Sequence, residues 1–140
     1  MKSRESLIRL KRFQVDEKRR TLSQIERMMA DFERMAAELD REVEIEQQKA
    51  GVTDVAHYAY PTYAKAAAAR RDNLRESAEN LKGQLEQAQN DLAEAVEELK
   101  KVELLEERDQ DRDRIAQEDA ERAAMEEAER ARRYRAARIG

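Results

Sequence analysis

The chain holds one histidine, His57, and three of its four tyrosines, Tyr58, Tyr60 and Tyr63, stand within six residues of it. An imidazole could act as a general base or a metal ligand, but either role needs company: a positioned reacting group, or further ligands. No cysteine occurs in the 140 residues, and three glycines are too few for a G-x-G-x-x-G phosphate loop. The expectation is no enzyme activity, no metal and no cofactor, with His57 a polar surface residue. Tyrosine supplies large contact area at low entropic cost, so the cluster has a second use. Two readings stand side by side. The rings plug the end of a helical hairpin while the alanines from Ala66 to Ala69 let its helices approach closely, or the cluster is a recognition surface.

The other chemistry on offer is charge. Residues 1–20 hold eight Lys or Arg against three acids, and residues 122–140 hold six Arg against three Glu. Between them, residues 21–121 carry fourteen basic and twenty-six acidic side chains, so the net charge of −4 conceals basic ends and an acidic middle. The acidic middle repels phosphates, and no stacking platform of interleaved aromatic and basic residues occurs, which argues against nucleic acid. Arg9, Lys11, Arg12, Arg19 and Arg20, with Arg132, Arg133 and Arg135, are instead candidates for attraction to an acidic protein partner. Leu10, Phe13 and Leu104 point away from the apolar stripe described next and add an apolar component to the N-terminal group.

The elements that must position these groups are long helices. Steps of three and four from Ile8 reach Lys11, Val15, Lys18, Leu22, Ile25, Met29, Phe32, Ala36, Leu39, Val43 and Glu46, nine apolar of twelve. A second run, Leu74, Ala78, Leu81, Leu85, Ala88, Leu92, Ala95, Leu99 and Val102, is apolar throughout. A mean spacing of 3.5 residues is a coiled-coil seam. The two seams mirror each other about Gly51 to Pro61, which predicts an all-α fold: an antiparallel two-helix coiled-coil hairpin over 1–106 with a long C-terminal helical extension. The helices are expected at about 3–50 and 61–106 and the turn at 51–60. Ser3 is placed to cap the first helix, Gly51 to close it in a left-handed conformation, Thr53 or Asp54 to cap a short turn, and Pro61 to sit in the first turn of the second. Gly83, on the outward side, allows local bending. Lys11 and Lys18 loosen the seam toward the basic end.

Beyond Val102 the seam slots become Glu106, Asp109, Asp113, Ala116, Ala120, Ala123, Glu127 and Arg130, which bury little. Residues 107–140 are therefore expected to form an unpaired charged arm, helical or frayed, biased toward helix by Glu118 with Arg122, Glu126 with Arg130 and Glu129 with Arg133. With 43% charged residues and no long apolar run, neither a secretion signal nor a membrane span is expected. The lack of cysteine fits a reducing compartment.

Several stretches together resemble one family. They are Leu7-Ile8-Arg9-Leu10-Lys11-Arg12 through Val15-Asp16-Glu17-Lys18, the turn Ala50-Gly51-Val52-Thr53 with Tyr60 and Tyr63 after it, and the charged run from Glu103-Leu104-Leu105-Glu106-Glu107-Arg108 to Met125-Glu126-Glu127-Ala128. In order and spacing the chain resembles the FliJ family of flagellar type III export proteins. It departs from that pattern at His57, where a tryptophan is common, and at Ala66 to Ala69, where larger apolar residues often occur. The resemblance implies a cytoplasmic, non-enzymatic coiled-coil stalk, peripheral to the membrane only through its partners. Such a stalk sits in the ring of the flagellar export ATPase, promotes ring assembly, links it to the cytoplasmic part of the export gate and handles export chaperones. Leu10, Arg12, Phe13, Arg19, Arg20, Arg132, Arg133 and Arg135 would then face the ATPase ring, and His57, Tyr58, Tyr60 and Tyr63 the gate. An injectisome stalk or a generic coiled-coil spacer or adaptor is the alternative.

Overall fold

The computed structural model describes the backbone of residues 2–139 and the side chains of residues 4–138. Three helices follow one another, α1 (Lys2–Ala50), α2 (Thr62–Asn80) and α3 (Lys82–Ile139), and no strand occurs among the described residues. The fold is all-α, a helical hairpin in which α1 packs against the bent run formed by α2 and α3. The expected cap at Ser3 falls on a side chain outside those described.

The chain divides into two compact units, Arg12–Val96 and the residues up to Lys11 together with those from Glu97 onward. Within Arg12–Val96 the pairing is antiparallel. Gln47 meets Tyr60, Glu42 meets Tyr63, and Asp40 meets Arg71 and Arg75, so partners move up the chain as α1 is followed down. The seam supplies most of the buried residues: Val15, Ala36 and Val43 on α1 and Ala78, Leu81, Ala88 and Ala95 on the returning run, joined by Ala64 and Ala67, which precede the first slot of the second run. Of the seam slots up to Val102, Lys18 alone is exposed, because an ammonium is costly to desolvate and its long stem lets it reach water. Six of the nine buried residues are alanine. Small side chains let backbones approach closely, and the larger Leu22, Ile25, Met29, Phe32 and Leu39 of α1 remain only partly covered.

The other unit repeats the antiparallel arrangement with a different chemistry. Lys11 donates to Glu98 at 2.9 Å, and Arg4 lies between Asp109 and Glu106, the latter at 3.6 Å. The Arg4 ion pairs fall where the seam slots of α3 change from Val102 to Glu106 and Asp109.

Two local expectations are corrected. The second helical run is interrupted at Leu81, whose N–H bonds to Ala78 O at 3.2 Å, a tighter turn than the α-helical one. The bend thus falls two residues before Gly83, around which space is open. Burial of Leu81 holds the turn in place. Pro61 stands one position before the helix rather than in its first turn. With φ −65° and ψ 130° it is extended, and its carbonyl accepts from Lys65 N–H at 3.1 Å.

Asp40 is held by Arg71 at 2.7 Å and by Arg75. The Arg71 hydrogen bond lowers the carboxyl below its ordinary value, partial burial opposes this, and Arg75 adds to the lowering. A depressed folded value means that the clamp stabilises the pair above the unfolded carboxyl pKa, near 4, and that this contribution is lost as pH falls through the folded value. Asp40 is more than a third exposed, so the effect is screened and is expected to stay below about 1 kcal/mol. Asp40→Asn should lower the urea midpoint at neutral pH, and the difference from wild type should shrink as pH falls through the depressed folded value, where the wild-type carboxyl takes up its own proton.

Candidate partner-binding surfaces

The loop between α1 and α2 is built from two consecutive turns. Gly51 adopts φ +69°, the left-handed conformation that ends a helix, and its N–H bonds to Gln47 O at 2.9 Å. Asp54 then accepts twice, through its side chain from Ala56 N–H and through its carbonyl from His57 N–H, both at 3.0 Å. Tyr60 N–H closes the second turn on His57 O. The loop is ordered by its own hydrogen bonds before any partner is added.

This geometry sorts the four expected residues into two kinds. Tyr60 turns inward, accepts from Gln47 Nε2 at 3.0 Å, and packs on the cluster of Val43, Ala64 and Ala67. Tyr63 lies along α2 and donates to Glu42 at 2.9 Å, an acceptor that raises its phenol above the usual range. His57 and Tyr58 face outward. Their rings stack at 4.6 Å, Tyr58 is 96% exposed, and His57 Nδ1 accepts from Ala59 N–H, which fixes the imidazole. Tyr60 thus fills the plugging position, and the His57–Tyr58 stack is left exposed.

Among the basic candidates, Arg12, Arg19 and Arg20 are exposed on α1, and Phe13 is about half exposed beside them. Arg19 pairs loosely with Asp16 at 3.8 Å. With Ser23, Gln24 and Arg27, Arg19 and Arg20 line a shallow depression on a single helix face. Arg27 was not among the residues singled out from sequence. The signal was its spacing of seven from Arg20, which puts the two residues on one helix face about two turns apart. Leu10, in the other unit, is also about half exposed.

Arg132, Arg133 and Arg135 lie far along α3. They are not brought beside Leu10: Arg4 anchors α3 at Asp109, and Arg132 is twenty-three residues further on, roughly 35 Å at helical rise. Every described residue from 110 to 138 is exposed, including Ile115, Met125 and Tyr134. Arg133 reaches Glu129 at 3.9 Å, whereas Arg122 pairs with Asp119 rather than the expected Glu118. The Arg138 guanidinium lies 6.0 Å from the Tyr134 ring centre.

No group of three or more acidic, histidine or cysteine side chains among the described residues is arranged to hold a metal ion. No helix among them is long and apolar enough to cross a membrane. Comparison with protein-family models, with curated proteins and with solved structures finds no match to this chain.

Proposed function

We propose that this chain is a non-enzymatic helical component of the bacterial flagellar type III export apparatus, acting on the cytoplasmic side. In this reading α3 beyond residue 109 enters the ring of the export ATPase and favours its assembly. The outward His57–Tyr58 stack contacts the cytoplasmic part of the export gate, and export chaperones are further partners. One observation carries the partner-binding part of the reading: twenty-nine consecutive helical residues, 110–138, bury no side chain within the chain. A helix gains most of its stability from packing an apolar or charged face against something, so a segment of this length without an internal partner is suited to an external one. At helical rise it spans roughly 43 Å, a length that suits a pore. The identity of the partner is supported by the sequence resemblance alone.

The test is co-purification with a flagellar-type export ATPase. Reversing Arg132, Arg133 and Arg135 to Glu should weaken the association at least tenfold and flatten its salt dependence, since those charges would meet an acidic lining. Unchanged binding removes the arm from the interface. Salt-sensitive binding to DNA in place of the ATPase sinks the whole reading.

A further inference from the structure

We propose that residues 110–138 of α3 pair antiparallel with the same residues of a second copy of this chain. The face concerned continues an interface the molecule already has. Ala95, Leu99 and Val102 form the covered seam of α3, followed by Glu106 and Asp109, which Arg4 engages. The same steps of three and four run on through Asp113, Ala116, Ala120, Ala123, Glu127, Arg130 and Tyr134, where α1 no longer covers them.

The charge pattern selects the occupant. Residues 110–121 carry five acids and two arginines, net −3, and residues 122–138 carry six arginines and three acids, net +3. Only an antiparallel copy sets each half against its opposite, and it does so twice; a parallel copy sets like against like. The seam is symmetric about the same point, between Glu121 and Arg122. In that register Ala120 faces Ala123, Ala116 faces Glu127, Asp113 faces Arg130 and Asp111 lies level with Arg132. Among the described residues, Asp113, Arg130 and Arg132 have no ion-pair partner. A pattern complementary to its own reverse is what a two-fold interface requires, and an unrelated partner gives no reason for it. Alanine at the centre lets the axes approach closely while the ion pairs set direction and register. Unlike the ATPase reading, this inference needs no other protein, and the two compete for one face, so a ring that binds the arm should dissociate the pair.

The test uses the full chain alone. Sedimentation velocity at low ionic strength should show a concentration-dependent monomer–dimer equilibrium that shifts to monomer near about 0.5 M NaCl, where charges are screened within a few ångströms. Arg130→Asp with Arg132→Asp should weaken dimerisation at least tenfold. Adding Asp111→Arg and Asp113→Arg, which exchanges the charges without changing the pattern, should restore it. Spin labels at Glu121→Cys should lie close across the dimer, and labels at Tyr134→Cys roughly 38 Å apart, since residue 134 faces the level of 109. A monomer at every concentration overturns the proposal, as does equal, short spacing for both labels, the signature of parallel pairing. Failure of the charge exchange to restore the dimer overturns the register.

Discussion

Ala36→Asp is expected to unfold the pair formed within Arg12–Val96. Ala36 has no exposed surface, and the buried side chains among the described residues are alanine, valine and leucine, with no polar one. A carboxylate introduced there would have neither water nor a partner, a situation that costs several kcal/mol even after relaxation. Small domains have only about 5–15 kcal/mol in all, and a two-helix pair whose larger side chains stay partly exposed lies toward the bottom of that range. Far-UV circular dichroism should show a large loss of helix at room temperature. The control is Ala37→Asp, one position round the same helix and exposed, where little more than a propensity difference of about 0.5 kcal/mol is at stake. Similar melting for the two variants would mean that Ala36 does not sit in a desolvated seam.

The second large effect is expected from cutting the chain after Gln110. The Arg4 contacts to Glu106 and Asp109 are retained, whereas a cut after Glu107 would remove one of them. Since every described residue from 111 to 138 is exposed, removing them uncovers no buried side chain among the described residues, and the melting of the remainder should stay nearly unchanged. Stimulation of export ATPase assembly should be abolished if the arm carries that interaction. A truncated chain that melts many degrees lower would show that the arm folds back on the rest of the molecule. One that melts normally and still stimulates the ATPase would move the interaction to other residues, with the His57–Tyr58 stack the next candidate.

Sequence by itself determined the parts that depend on periodicity. Apolar side chains every three or four residues mark one face of a helix whatever they pack against, so both seams, the reversal between them and the end of apolar pairing after Val102 were legible from residue types alone. Gly51 was legible for a similar reason, because a helix that must stop has few ways to do so without a left-handed residue. The placement of the charges along the chain is likewise a one-dimensional fact.

Tertiary structure decided what depends on which neighbour a side chain meets. Four residues, His57, Tyr58, Tyr60 and Tyr63, are similar in sequence, yet Tyr60 turns inward because Gln47 and the Val43–Ala64–Ala67 cluster lie within its reach, while Tyr58 remains in water. Asp40 looks like one acid among thirty-two, and only the antiparallel register brings Arg71 and Arg75 against it. The break at Leu81, two residues before Gly83, goes with the burial of that leucine. Periodicity specifies a face, since the rise and twist of a helix are constant. The partner of a single side chain on that face is set by distances of a few ångströms across the seam, and these exist only once two helices are placed side by side.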